Sequence, residues 1–248
     1  MPRFIEKTIE TRLDRFEIAT ESGIVSVDLR RHSRARNYTL RVGGPARPPV
    51  LTMPKRGTLG EARRFLDSHA TWLKRQLDRL PHPQPIVAGS TVPFRGTQHT
   101  VRQATGRGTV AVEMNGHGPT LVVSGEARHL RRRLVDFLRR EARRDIEAAV
   151  IRHAGALGAR VKAVRVRDQT SRWGSCSATG HLSFSWRLVM APPFVLDYVA
   201  AHEVAHLREL NHSRRFWRLV EELCPTTKEA RAWLRVHGAA LHAIGADG

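Results

Sequence analysis

A short segment near the carboxyl end of this 248-residue chain combines residue types that bind metals. His202 and His206 stand four positions apart, and Glu203 directly follows the first of them. On a helix, positions i and i+4 share one face, so both imidazoles can hold one ion with the carboxylate beside it. Imidazole nitrogen is a common zinc ligand, and this pattern is typical of zinc hydrolases. The segment therefore predicts a hydrolytic metal site.

The residues before this motif predict the helix that it requires. Pro192 and Pro193 are tolerated in a first helical turn and not deeper, and the stretch 194–201 is apolar apart from Asp197 and the hydroxyl of Tyr198. A mostly buried helix carries two histidines and a glutamate only at a high free-energy cost unless something compensates them. Bound metal would supply that compensation.

His212 is the predicted third ligand, because it follows the motif after a segment that Asn211 can break. Glu221 and Glu222 are rival third ligands on the following helix. Three protein ligands leave one position of a tetrahedral zinc open to water. Our hypothesis is that Glu203 takes a proton from this water as general base and returns it to the leaving group.

Composition limits the class of protein. Lys and Arg total 42 against 23 for Asp and Glu, a formal charge of +19, which predicts attraction to polyanions. Two cysteines, Cys176 and Cys224, are too few for a disulfide framework. We find no apolar stretch typical of a signal peptide or a membrane span, so the sequence predicts a cytoplasmic protein without membrane attachment.

The pattern of strands and helices predicts an α+β fold. Three segments are expected: an N-terminal antiparallel β-rich lobe with one helix over 1–85, short strands over 86–125, and a mainly helical, minimal zincin-like metal-binding lobe over 126–248. The first helix should begin at the capping box of Thr58 and Glu61. Alternation in 162–167 and again in 181–186 predicts a hairpin beside the metal helix.

The loop before the second of these strands has side chains suited to binding an anion. Arg172, Trp173 and Ser175 are therefore the candidate substrate-binding residues. Two alternatives stay open: Trp173 packs in the core, and Arg172 pairs with Asp168 or Asp197. Cys176 is interpreted as a small buried residue and not as a metal ligand.

The strand 181–186 has two interpretations. It could be an exposed edge on which an extended peptide pairs, or it could be an ordinary packed strand. A helix starting near Glu126 carries many arginines with interspersed acids, which is typical of a solvated face.

Several of these segments together resemble the YgjP-like family of M48-type metallopeptidases, most strongly over residues 160–220. The resemblance is carried by Ser171–Cys176, Trp186–Leu188, Ala191–Pro193, His202–His206, Asn211–Ser213 and Phe216–Trp217. It implies zinc bound by His202, His206 and His212, Glu203 as general base, and a core related to SprT-like proteases.

Three functions remain in competition. The leading one is a zinc metallopeptidase acting on peptides or proteins. The second is a metal-dependent hydrolase of nucleotide phosphoanhydrides, of the pyrophosphatase type, which would need Arg172 in place of a glycine-rich phosphate loop. The third is a nucleic-acid-associated protein with a structural zinc. A structural site would not need the carboxylate of Glu203. The basic charge also predicts non-specific binding to nucleic acid.

Overall fold

The computed structural model describes residues 12–20, 23–45, 47–116, 118–169 and 172–246. They form two compact units, an N-terminal unit ending at Pro81 and a C-terminal unit starting at His82. The segments expected over 86–125 and 126–248 both lie in the C-terminal unit. Sheets and helices occur in both units, so the predicted α+β class is confirmed.

The N-terminal unit contains a four-stranded sheet. Its strands are β1 (Arg12–Thr20), β2 (Gly23–His32), β3 (Thr39–Arg41) and β4 (Val50–Pro54), in the order β1-β2-β4-β3. Two pairs are antiparallel as predicted, but β2 and β4 run parallel. The parallel direction follows from the connection between β2 and β4. After β2 the chain forms β3 at the edge of the sheet, and it then turns back as β4 between β3 and β2.

Two helices, and not the single predicted one, cover this sheet: α1 (Leu59–Ser68) and α2 (Ala70–Asp78). The capping box of Thr58 and Glu61 starts α1 as predicted. The break comes at His69, whose backbone N–H bonds to Leu66 while its Nδ1 lies 2.8 Å from the carbonyl oxygen of Phe65. The His69 ring thus bonds to the Phe65 carbonyl oxygen, which would accept the backbone N–H of His69 in a continuous helix.

The C-terminal unit begins with a second four-stranded sheet. Its strands are β5 (Thr91–Phe94), β6 (Thr97–Ala104), β7 (Val110–Asn115) and β8 (Gly118–Ser124), in the order β5-β6-β8-β7. Helix α3 (Leu130–Leu157) follows and buries an apolar stripe that includes Leu134, Leu138 and Ile146. It ends at Gly158, whose φ of 60° is the left-handed conformation common after a helix.

The remaining elements surround the metal motif. They are strands β9 (Ala163–Arg167), β10 (Gly174–Cys176) and β11 (His181–Ser185), and helices α4 (Pro193–Ala205), α5 (Arg214–Leu223) and α6 (Thr227–Ala243). The predicted hairpin of β9 with β11 is wrong, because these strands pair in parallel and β11 forms its hairpin with β10. Strand β11 is therefore central, and the idea that it is an exposed edge is also wrong.

None of the described helices is both long and apolar enough to span a bilayer.

Candidate metal centre

Helix α4 carries His202 and Glu203 in its last turn. Its apolar side chains are buried between α3, α5 and α6, as the sequence predicts for a helix that starts after two prolines. The helix stops at Ala205, earlier than the predicted break at Asn211, and His206 is its C-cap. Tight turn bonds from Leu207 to Val204 and from Arg208 to Ala205 then redirect the chain.

This early stop brings His212 back to the helix. The Nε2 atoms of His202 and His212 are 3.2 Å apart, and one ring nitrogen from each of the three histidines lies within 4.8 Å of the others. Two nitrogens bound to one tetrahedral zinc at about 2.0–2.1 Å would lie about 3.4 Å apart. The donor set thus fits a zinc ion in both ligand type and spacing.

The protonation states of the rings also fit metal binding. Burial, followed by the neighbouring His206 and His212, lowers the pKa of His202 to about 3. Burial likewise lowers the pKa of His206. Nδ1 of His206 lies 3.0 Å from the carbonyl oxygen of Glu209, so an N–H there donates to that oxygen and leaves Nε2 with a lone pair. Both rings are neutral near pH 7, the form that binds a cation.

Aromatic side chains from α5 hold the imidazoles in place. Ser213 caps this helix by accepting a hydrogen bond from the backbone N–H of Phe216. The ring of Phe216 stacks on His206 with centroids 4.4 Å apart and meets His202 edge-on at 4.9 Å. Trp217 lies beside His212. The position of the third histidine is therefore fixed by the packing of α5 against α4.

Glu203 directly follows His202 on α4 and is buried, with 5% of its surface exposed. Burial raises its pKa to about 7, against the opposing effect of the Arg172 charge. A carboxyl group in this range can hold or release a proton near neutral pH, which a general base requires.

Gly174 is a site residue that our sequence analysis missed. A Cβ atom at this position would lie 2.5 Å from Oε1 of Glu203 and 2.6 Å from its Cγ. Only glycine lets β10 approach the carboxylate this closely. The signal was present in the Ser171–Cys176 segment, but nothing in the sequence shows that Gly174 faces Glu203.

The rival ligands do not join the group. Among the described residues, the three histidines form the only cluster of potential ligands, and Glu221 and Glu222 are exposed on α5. Cys176 also lies outside the cluster; burial and then the charge of Glu203 raise the pKa of its thiol.

Arg172 is exposed, and among the described residues its side chain has no hydrogen-bond or ion-pair partner. The predicted alternative partners are engaged elsewhere: Asp168 contacts Arg187 and Arg139, while Asp197 contacts Arg152 and His153. The charge of Arg172 therefore acts on Glu203 and on whatever approaches it.

Trp173 and Ser175 differ in their surroundings. The indole of Trp173 stacks on His242 with centroids 4.4 Å apart and packs against Gly238, so it anchors the loop to α6. This contact favours the packing interpretation of Trp173. Ser175 lies half-buried in the middle of β10. Ser171, which belongs to the same predicted anion-binding loop, lies outside the described residues.

The buried side chain of Arg187 connects α6 with the segment that precedes β10. It is 5% exposed, donates to the carbonyl oxygens of Leu241 and Ile244, and contacts Asp168 at 3.2 Å. Burial lowers its pKa, and the charge of Asp168 opposes that effect. Arg187 thus ties the end of α6 to the loop that leads into β10.

Comparison with known proteins identifies a family. The family model described as "YgjP-like, metallopeptidase domain" matches residues 36–237. A crystal structure of the metallopeptidase zymogen of Pyrococcus abyssi abylysin matches with 25% identity and a TM-score of 0.34, covering 38% of this chain and 92% of that one. No curated protein gives a significant match.

Proposed function

Because this chain belongs to the YgjP-like metallopeptidase family, as its motifs predicted, we propose that it is a zinc peptidase with its active centre at the end of α4. His202, His206 and His212 hold the metal, and Glu203 is the general base. The observation that carries the proposal is the convergence of three imidazoles at the end of the helix that also carries the buried Glu203.

Zinc, when bound, polarises a peptide carbonyl and brings the pKa of water toward neutrality. The chain supplies the rest of the chemistry. Glu203 accepts a proton from the attacking water and donates it to the departing amine, a role that contributes about 10²- to 10⁴-fold in rate. Burial of its carboxyl group raises its pKa, which favours uptake of a proton.

The substrate is proposed to pair with β10. This strand is an edge of its sheet and pairs with β11 along its inner side. Trp173 and Ser177 hydrogen-bond to β11, so by the alternation of an antiparallel ladder the backbone groups of Gly174 and Cys176 point away from it. An extended peptide adding to this edge would pass beside Glu203.

Arg172 and Ser175 are the proposed substrate contacts. Arg172 precedes β10, has no ion-pair partner among the described residues, and can bind an acidic side chain or a terminal carboxylate of the peptide. Ser175 offers a hydroxyl within the strand. Trp173 is proposed to support these residues by packing and not to contact substrate.

Hydrolysis assays test the proposal. Casein-derived peptides should be cleaved by the zinc-loaded protein, and a chelator should abolish cleavage. Glu203→Gln should bind zinc normally and lose at least about 100-fold in kcat/KM, whereas Glu222→Gln, an exposed glutamate on α5, should match the wild type. Full activity of the Glu203 variant would contradict its role.

The same assay separates the rival functions. Arg172 also suits an anionic phosphate, so nucleoside triphosphates are included as substrates with the same two variants. Cleavage of nucleotides and not of peptides would replace the peptidase proposal with a phosphoanhydride hydrolase. A purely structural zinc requires a closed site, and no fourth ligand joins the histidines among the described residues.

A further inference from the structure

The sheet of the N-terminal unit carries a concentration of positive charge that the proposed peptidase site does not use. One face of this sheet buries Leu29 and Leu51 in the core. Elsewhere in the unit is a half-open cavity of about 600 Å³. The basic residues that line it, which we call the basic face, are Arg30, His32, Arg34, Arg36 and Arg41.

The strand register explains how these residues meet. Arg30 on β2 pairs across the sheet with Thr52 on β4, and Thr52 pairs with Thr39 on β3. Alternation along β2 puts Arg30 on the face opposite the buried Leu29. Arg41 lies two positions along β3 from Thr39, and the loop between β2 and β3 contributes Arg34 and Arg36. Residues distant on the sheet thus converge on one cavity.

Three arginines of the basic face, Arg34, Arg36 and Arg41, are exposed. Among the described residues, the side chains of Arg34, Arg36 and Arg41 have no hydrogen-bond or ion-pair partner, and no acidic residue is found in the cavity lining. By contrast, Arg31 donates to three backbone carbonyl oxygens, including those of Lys55 and Gly57.

Acidic side chains of the same unit are engaged elsewhere. Asp28 contacts Arg15 at 3.2 Å, Asp67 contacts Arg63, and Glu61 accepts hydrogen bonds from Tyr38 and Thr58. Guanidinium groups cannot lose their protons in a protein, so an anion that binds at Arg34, Arg36 and Arg41 would relieve their mutual repulsion.

We propose that the basic face binds the phosphodiester backbone of single-stranded nucleic acid. Planar guanidinium groups donate in pairs to phosphate oxygens, and a nucleic acid strand presents such groups at regular short intervals. The hydroxyl groups of Thr39 and Thr52 and the amide of Asn37 line the same cavity and can donate to phosphate or sugar oxygens.

A single strand fits this surface better than an acidic polypeptide does. Carboxylates along an extended peptide alternate between two sides, whereas the phosphates of a flexible single strand can all turn toward one cavity. His32 is the only aromatic side chain among the described residues that line it, so base stacking contributes little. The expected binding is therefore electrostatic and independent of sequence.

Fluorescence anisotropy with the full-length protein tests the proposal, using a short labelled oligothymidylate as probe. The logarithm of the binding constant should fall against the logarithm of salt concentration with a slope of about −2, because Arg34, Arg36 and Arg41 each neutralise one phosphate. The triple variant Arg34→Gln/Arg36→Gln/Arg41→Gln should lose at least about tenfold in affinity at low salt and bring the slope close to zero.

A charge-matched control gives the test its specificity. Arg128→Gln/Arg132→Gln/Arg143→Gln lowers the net charge equally, but these exposed arginines contact Glu126, Asp136 and Glu147. This control should bind like the wild type. The variant Arg34→Lys/Arg36→Lys/Arg41→Lys should keep the salt slope. This result would show that the loss in the glutamine variant comes from the missing charge and not from misfolding.

Three outcomes would overturn the proposal: no binding by the wild type at low salt, equal loss in both glutamine variants, or polyglutamate competing as well as unlabelled oligothymidylate of equal charge. Ribonucleotide, deoxyribonucleotide and duplex competitors identify the natural source; preference for duplex would contradict the single-strand assignment. None of these readouts depends on peptidase activity, so failure here leaves the proposed peptidase function untouched.

Discussion

The histidine cluster of the C-terminal unit and the basic face of the N-terminal unit both gather nitrogen-rich side chains at one point, with opposite electrostatic results. At the cluster, burial lowers the pKa of His202 and His206, so the rings are neutral donors. At the basic face, the guanidinium groups remain charged because their protons cannot be lost. Neutral nitrogen lone pairs favour a cation, whereas permanent cations favour an anion.

The two regions also differ in how their side chains are held. Phe216 and Trp217 pack against the imidazoles and fix them. Arg34 and Arg36 project from a loop and are exposed. We therefore expect a specific, geometrically demanding site at the cluster and a salt-sensitive, tolerant one at the basic face.

The largest expected effect is on metal affinity. His212→Ala removes one of three proposed ligands and should prevent stoichiometric zinc binding, whereas Glu222→Ala should leave the zinc content unchanged. Titration with zinc, followed by calorimetry, measures both. If His212→Ala retained wild-type affinity while Glu222→Ala lost it, the third ligand would have to be reassigned to α5.

Gly174→Ala should have the next largest effect. The new Cβ atom would lie 2.5 Å from Oε1 of Glu203, so the carboxylate must move. We expect a loss of about 100-fold in kcat/KM with zinc affinity retained, since small misplacements of catalytic groups cost this much. Steady-state peptide hydrolysis measures it.

Gly155→Ala is the matched control for that substitution. Gly155 lies in α3 with no atom within 4 Å of its ideal Cβ position, so the change should leave activity intact. Wild-type activity of Gly174→Ala would show that the close approach of β10 to Glu203 has no catalytic importance.

These two glycines illustrate what the sequence could and could not reveal. The grouping of the three histidines was predictable, because His202 and His206 are related by helical periodicity within one turn and His212 follows closely. The contact of Gly174 with Glu203 was not, since it depends on which strands pair. The expected hairpin of β9 with β11 was wrong because a single sequence does not show that β10 takes that place.

The same limit applies to the rest of the fold. The capping box of Thr58 and Glu61 was predictable from local spacing and is present. The break at His69 was not, because it arises when the ring nitrogen takes the Phe65 carbonyl. The basic face could not be predicted from the sequence, because the excess charge of the chain does not indicate which arginines lie together in the fold.

Asp197 is an example of a charge in the C-terminal unit that has partners of opposite charge. Burial opposes its ionisation, but the hydrogen bond and charge of His153, together with Arg152, lower its pKa overall. A carboxyl group with a lowered folded-state pKa stabilises the fold above its unfolded pKa, and this contribution is lost as the pH falls through the folded value.

Asp197→Asn should therefore lower the free energy of unfolding by about 1.5–3 kcal/mol near neutral pH, the range for a hydrogen bond to a charged group. The difference from the wild type should shrink in acid, as the pH falls below the ordinary aspartate pKa of 3.8. Urea unfolding at several pH values measures this. A difference that does not change with pH would contradict an electrostatic role.

The smallest expected effect belongs to Arg172→Gln. Because this exposed cation is proposed to contact substrate and not metal, KM for peptides with acidic residues should rise by about fivefold, as for an exposed ion pair of up to 1 kcal/mol. The kcat should change less. Comparison with a neutral peptide separates the two effects, and equal KM values for both peptides in wild type and variant would contradict the assignment.

The central claim is that three imidazole nitrogens bind one zinc ion, and X-ray absorption at the zinc edge of the loaded protein tests it most directly. We predict a first shell of nitrogen and oxygen at about 2.0–2.1 Å, with the scattering pattern of three imidazoles. A sulfur ligand at about 2.3 Å, or fewer than two imidazoles, would contradict it.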